Sequence, residues 1–312
     1  MKKIAIVGPI HTDGWDFLKK NDYNPFEVKD FTDENLIKEL RYADGVILRT
    51  AKLNKKVMLE CQNIKIVARH GVGYDNVDLT HLKEKKIALA ITGTANAVSV
   101  AEHVMTMFLY LSKKINKSDE LVRSGNFDKK RSLSHFFELY KKNILILGFG
   151  RIGQSLAKRC LGFESNVLVY DPFVEKEIIE KLNCNKVDFD KGINLADFIT
   201  VHMPLNEKTN NLIRKEHFLQ MKENCIIVNT ARGGIINEND LLWALKNKKI
   251  LGAGLDVYET EPPAKDNQLF NLNNILLTPH NAALTLECQK RMASECAENI
   301  IYYLEKDKKL NI

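Results

Sequence analysis

Apolar runs alternate with amphipathic stretches from the first residues onward. IAIVG (4–8) reads as a buried strand, TDGWDFLKKN as a helix capped by Thr or Asp, and FEVKDF as a second strand. DENLIKELRYA is a helix with acidic residues in its first turn. GVILR (45–49), IKIVAR (64–69) and IALAIT (87–92) complete a first series of strands. Strands separated by helical stretches predict a parallel sheet with helices on both faces. The longest helical pattern covers 97–124, where Val100, Val104, Phe108 and Leu111 keep a helical spacing. Residues 125–142 are polar and irregular. A second series then begins. KNILILGFG is a strand and turn, RIGQSLAKRCLGF a helix and NVLVYDP a strand. FITVHMPL, CIIVNTARGG, LGAGLDVYE and NILLTPHNA follow as strands, and one amphipathic helix over about 285–304 ends the pattern. No internal repeat or low-complexity tract interrupts it.

A chain of 312 residues suits two domains better than one. With 45% hydrophobic and 28% charged residues it can bury a sizeable core. No apolar run reaches about 18 residues, so no membrane span is expected. MKKIAIVGPIHTDG reads as a first strand rather than a signal peptide. Six cysteines, none in a CxxC pair, fit reduced thiols, in the core or at the surface, in a cytoplasmic protein. The net charge of +6 comes from scattered lysines, read as solvated helix ends, with attraction of small anionic substrates as the second reading. Aromatic residues do not interleave with them, so no nucleic-acid surface is expected. No metal site is expected either.

The chemistry starts at GFGRIG (148–153), a G-x-G-x-x-G between a strand and a helix. Gly148 allows the tight turn, Gly150 lets backbone approach a pyrophosphate, and Gly153 lets helix and strand pack closely. The phosphates would sit at a helix N-terminus, with Arg151 adding a charged contact. Asp171 ends the next strand, 18 residues after Gly153. That is close to the spacing of about 20 expected for the acid that binds the ribose hydroxyls. An aspartate there repels a 2′-phosphate, which favours NAD over NADP. Arg232, the acids Asp256, Glu259 and Glu261, and His280 all follow strands of this second series. In an open parallel sheet, that carboxyl edge is where ligands bind. A guanidinium holds a carboxylate in a fixed fork, and histidine gives or takes a proton near neutral pH. A carboxylate beside an imidazole stabilises the ring when it carries charge. Together these groups suit reduction of a 2-oxo acid beside a nicotinamide.

The motifs HGVGYDNVDL, GFGRIG, HMPLNEKT, NTARGGIINENDLLWAL, DVYETEPP and TPHNAA occur in an order and spacing that closely resemble the D-isomer-specific 2-hydroxyacid dehydrogenases over nearly the whole chain. The resemblance implies two Rossmann- or flavodoxin-like doubly wound parallel-sheet α/β domains with a cleft between them. The substrate domain would comprise 1–98 plus 284–312, and the NAD-binding domain 99–283. Hinges would lie near Val98 and after His280. Arg232 would bind the substrate, His280 would donate the proton, and Glu261 would be its partner. Asp256 would lie near the nicotinamide amide. Arg151, Ile152, Asp171, Thr230 and Ala231 would contact the cofactor, with His202 and Pro204 on the adenosine side. The N–H groups of Val72 and Gly73 would hold the substrate carboxylate, with Arg49 and Asn96 facing the same cleft. A homodimer through the 113–142 arm is implied. D-3-phosphoglycerate, hydroxypyruvate and glyoxylate are the favoured substrates, with D-lactate-type acids also open. The chain ends 32 residues after His280, from which a form without an added regulatory domain is expected. The rival reading is an NAD(H)-sensing, corepressor-like binding protein of the same family. Formate dehydrogenases of this fold pair the histidine with glutamine, and Glu261 argues against that activity.

Overall fold

The computed structural model describes residues 1–133 and 135–306; Ser134, within the expected arm, and 307–312, within the expected substrate domain, lie outside the described residues. The chain divides into two compact units, 1–96 with 283–312 and 97–282.

The first unit opens with β1 (Lys3–Val7), α1 (Thr12–Lys20), β2 (Asn24–Val28), α2 (Asp33–Leu40) and β3 (Gly45–Leu48). It continues through α3 (Lys55–Glu60), β4 (Ile66–Arg69), α4 (Leu79–Lys85) and β5 (Ala88–Ile91). Its sheet is parallel, with order β2-β1-β3-β4-β5, the flavodoxin-like arrangement. The expected second strand began after Pro25, yet β2 includes it, opposite Ile4. β2 is an edge strand, where the missing proline N–H breaks no ladder. α3 and α4 span six and seven residues, too short for helical periodicity to mark them.

The second unit begins with α5 (Ala97–Lys113), α6 (Ile115–Arg123), β6 (Asn143–Leu147), α7 (Arg151–Gly162), β7 (Asn166–Tyr170), α8 (Lys176–Glu180) and β8 (Asn185–Lys186). It goes on to α9 (Phe189–Leu195), β9 (Phe198–Val201), α10 (Lys215–Gln220), β10 (Ile226–Asn229), α11 (Glu238–Lys246), β11 (Gly252–Leu255) and β12 (Ile275–Leu277). The seven strands, again all parallel, run β12-β11-β10-β9-β6-β7-β8. The chain reverses its direction of winding between β6 and β9, which puts GFGRIG at the switch point. The single helix expected over 97–124 is a correction. It breaks at Lys114, which takes a left-handed conformation (φ 48°), and α6 then buries none of its residues. No glycine or proline marks the break, so composition could not reveal it. α5 buries Val104, Met105, Met107 and Phe108 against the sheet, with Phe108 edge-on to Phe198 at 5.0 Å. Gly254 in β11 makes room for this helix, since a Cβ there would stand 2.7 Å from the Met107 sulfur.

The last helix, α12 (Leu286–Lys306), belongs to the first unit. Cys296, Ala297 and Ile300 pack it on Ile4, Ile47, Ile66 and Ala90 of that sheet. All six cysteines are free and buried, and burial pushes the Cys160 thiol up to about 12. No helix among the described residues is long and apolar enough to cross a membrane.

Candidate active site

β10 is apolar until Asn229, whose amide shapes the turn that follows. Its Oδ1 accepts the Ala231 N–H at 3.0 Å, and its Nδ2 donates to the Arg232 carbonyl at 2.8 Å. Arg232 is half-buried and donates from Nη1 to the Ala231 carbonyl at 2.6 Å. The glycines after it have separate reasons. A Cβ on Gly233 would run into the Tyr258 carbonyl, and Gly234 has φ 80°. Gly233 therefore docks the turn carrying Arg232 against the loop after β11.

That loop in turn meets the loop after β12. Tyr258 donates its hydroxyl to the Thr278 carbonyl at 3.0 Å. Burial, then the charges of Asp256, Glu238 and Glu261, push the Tyr258 phenol up to about 12, so it remains a donor. Glu261 Oε1 accepts the Tyr258 N–H at 3.1 Å, while its Oε2 lies 2.8 Å from His280 Nδ1. An ionised carboxylate only accepts, so the Nδ1 of His280 carries the hydrogen and Nε2 is left to exchange a proton. His280 is exposed and sits at φ 51°. Arg232, Glu261 and His280 are thus linked through Gly233, Tyr258 and Thr278 at the ends of three adjacent strands.

Asp256 is fully buried. Its Oδ1 accepts from the Thr278 hydroxyl at 2.5 Å and the Asn281 N–H at 2.9 Å, and its Oδ2 from the Ala282 N–H at 3.0 Å. Its first task in this structure is to hold the segment that bears His280.

At the switch point, Gly148 (φ 97°) approaches the chain so closely that a Cβ would stand 2.6 Å from the His202 carbonyl. Nothing lies within 4 Å of the place a Gly150 Cβ would occupy, and no side chain caps α7 there. A Cβ on Gly153 would strike the Gly148 carbonyl. Arg151 and Ile152 begin the helix, with Arg151 exposed. Asp171 ties this loop to the end of β7, accepting the Phe149 N–H at 2.8 Å and the Phe173 N–H at 2.9 Å. The Thr230 hydroxyl is buried without a partner among the described residues. His202 shares a 2.9 Å hydrogen bond with Thr200, and burial pushes its ring down to about 3, so it is neutral. Pro204 is exposed, with its carbonyl accepting from Thr209 at 2.6 Å.

The first unit gathers its own expected residues at one sheet edge. Arg49 Nη1 donates to the Pro9 carbonyl at 3.0 Å. Arg69 donates to Asn76 Oδ1 at 3.1 Å and to the His70 carbonyl at 2.6 Å, and Asn76 donates to the Ala51 carbonyl at 2.7 Å. This bracket fixes the 70–76 loop, in which no acceptor among the described residues takes the N–H of Val72 or Gly73. Two such backbone donors in a glycine-containing loop suit an anion. Burial, then Arg49 and Arg69, push His70 down to about 4, so its ring adds no charge there. The Asn96 carboxamide oxygen is buried and lacks a partner among the described residues.

Residues 105–282 match the family model described as the NAD binding domain of D-isomer specific 2-hydroxyacid dehydrogenases. The chain belongs to this family. Among D-2-hydroxyacid dehydrogenase relatives, the D-3-phosphoglycerate dehydrogenase of Archaeoglobus fulgidus is 38% identical over 300 residues, covering 96% of this chain and 56% of that protein. The chain thus spans a little over half the length of that relative. The hydroxypyruvate reductase of Thermotoga maritima is 35% identical over 301 residues, which is 96% of this chain and 97% of that one. The NAD-dependent formate dehydrogenase of Staphylococcus aureus, solved in complex with NAD, superposes with a TM-score of 0.85 at 29% identity, covering 99% of this chain and 97% of that one.

The residues present fit NAD, the cofactor of this dehydrogenase family. The open space at Gly150, the uncapped helix start behind it and the unpartnered Thr230 hydroxyl all offer groups that a dinucleotide would engage. Asp171 accepts one protein N–H on each oxygen, and a carboxylate has about four acceptor positions, so capacity is left for ribose hydroxyls. Sequence reasoning missed Asn229, Tyr258 and Thr278, which fix the geometry without doing chemistry. Their one signal was position, directly after or within motifs that follow apolar strands.

Proposed function

We propose that this chain is an NAD-dependent oxidoreductase that interconverts a D-2-hydroxy acid and its 2-oxo acid. The observation that carries this reading is the His280–Glu261 pair, 2.8 Å apart, linked through Gly233 to Arg232 at the same sheet edge as the GFGRIG loop. When bound, NADH supplies the hydride that reduces the carbonyl carbon, and NAD accepts it in reverse. Arg232 binds the substrate carboxylate and polarises its carbonyl. His280 gives its Nε2 proton to the oxygen that becomes the hydroxyl, and takes it back in the oxidative direction. Glu261 keeps the proton on Nδ1 and steadies the charged ring. In the first unit, the N–H groups of Val72 and Gly73 bind the substrate carboxylate, with Arg49 and Asn96 as further contacts. Asp256, Arg151, Ile152, Ala231, His202 and Pro204 serve the cofactor.

The substrate is D-3-phosphoglycerate, or hydroxypyruvate with glyoxylate. Relatives named for these activities, among them a glyoxylate reductase of Thermococcus litoralis 35% identical over 274 residues, support that range. Asp171 directs the choice of nicotinamide. A 2′-phosphate would lose ribose contacts and meet a carboxylate, so NADH should exceed NADPH in kcat/KM by about tenfold or more, a difference of about 1.4 kcal/mol. Equal values for the two cofactors would remove Asp171 from this role.

The chain further acts as a cytoplasmic homodimer through the 113–142 arm. No residue of α6 is fully buried, and Val122 and Phe127 are each 60% exposed. Such an apolar surface suits association. Light scattering should return twice the chain mass of 35.7 kDa, and a monomer at micromolar concentration would reject the proposal.

A further inference from the structure

His280 sits in a backbone conformation that non-glycine residues seldom adopt. A conformation of that kind persists where its surroundings over-determine it. Within the second unit, the segment 278–282 is gripped from two sides. From the sheet, Asp256 takes the Thr278 hydroxyl and the N–H groups of Asn281 and Ala282. From α5, the buried Ser99 hydroxyl donates to the Ala282 carbonyl at 2.6 Å, and His103 Nε2 lies 3.1 Å from Thr278 Oγ1.

The hydrogen bonds have only one consistent direction. Thr278 has a single hydroxyl hydrogen, and its contact with Asp256 spends it on a carboxylate oxygen. Thr278 Oγ1 can therefore only accept from His103, which fixes the hydrogen on His103 Nε2. Burial pushes the His103 pKa down against the opposing pull of Asp256, consistent with a neutral ring donating that one hydrogen. The result is a directed chain, His103 to Thr278 to Asp256, whose last member holds the two residues after His280. Ser99, one helical turn before His103, closes the far end of the segment.

We propose that Ser99 and His103 are positioning residues for the reaction, acting through Thr278 and Asp256 to hold His280 where it can exchange its proton. The inference rests on the reading of His280 as the acid–base group. It assigns α5 a task that its apolar spacing hides, since both residues lie among core positions of the helix.

Thr278→Val removes the hydroxyl at nearly constant shape, and Thr278→Ser restores it. With NADH and the best 2-oxo acid, Thr278→Val and His103→Ala should lower kcat by about tenfold to a hundredfold, the range expected for displacement of a catalytic group by about an ångström. NADH affinity should stay near wild type, the thermal midpoint of Thr278→Val should fall because buried Asp256 loses a donor, and Thr278→Ser should recover both the midpoint and most of kcat. Ser99→Ala, a smaller change, should give a smaller loss of the same kind. A second readout needs no substrate. The His280 ring signal in a ¹³C–¹H spectrum, assigned by its absence in His280→Ala, should shift in Thr278→Val and return in Thr278→Ser. Wild-type kcat and an unmoved signal in Thr278→Val and Ser99→Ala overturn the proposal, as does a loss of kcat that Thr278→Ser does not rescue. Should His280→Ala itself keep full turnover, the acid–base reading falls instead, and the ring spectra still report whether the clamp sets His280.

Discussion

His280→Ala should lower kcat in both directions by about a hundredfold to ten-thousandfold, the span that a positioned general acid–base contributes. Glu261 holds the Nδ1 hydrogen at 2.8 Å and leaves Nε2 free to exchange a proton. His280 is also exposed, so truncation leaves no cavity and no buried partner. Stability should therefore change little, and NADH should bind with unchanged affinity in a fluorescence titration. A variant that retains turnover would show that the proton comes from elsewhere, with solvent the first alternative. Glu261→Gln should give a smaller loss, since the amide oxygen can still accept from Nδ1, at the cost of the charge and of the acceptor for the Tyr258 N–H.

Arg232→Lys tests the other half of the chemistry. Lysine keeps the charge and loses the planar fork that grips a carboxylate and a carbonyl together. Removal of a charge-stabilising donor of this type costs about a hundredfold to a thousandfold in rate. We expect kcat/KM for the 2-oxo acid to fall by that order while the Kd for NADH stays put. The fold should tolerate the change, because Asn229 and the close approach of Gly233 to Tyr258 hold the turn. Near wild-type kcat/KM would mean that Arg232 serves the turn and that the substrate anion is held by other groups.

Much of this was legible before any coordinate. A parallel sheet buried on both faces needs strands that are apolar at every position, and ILIL, FITV and IIVN announce themselves that way. Arg232 stood out because it follows such a run, at the strand edge where an open parallel sheet binds ligands. Asp171 stood out by its spacing from Gly153. Other features left no mark. The helix break at Lys114 falls in an ordinary lysine-rich stretch, because the left-handed residue there is not a glycine. In the structure, Gly233 is required by the backbone of Tyr258, a contact between segments 25 residues apart in sequence. The three protein hydrogen bonds of Asp256 depend on loops whose meeting no local pattern encodes. His103 was indistinguishable from a core position of an amphipathic helix.

The measurement closest to the central claim is a panel of 2-oxo acids assayed with NADH and followed at the nicotinamide absorbance. Glyoxylate, hydroxypyruvate, pyruvate and 3-phosphohydroxypyruvate make up the panel. The account predicts oxidation of NADH with at least one of them, formation of the D-hydroxy acid, and loss of that activity in His280→Ala. NADH binding without turnover of any 2-oxo acid would contradict it, and would favour a protein that senses the nicotinamide rather than using it.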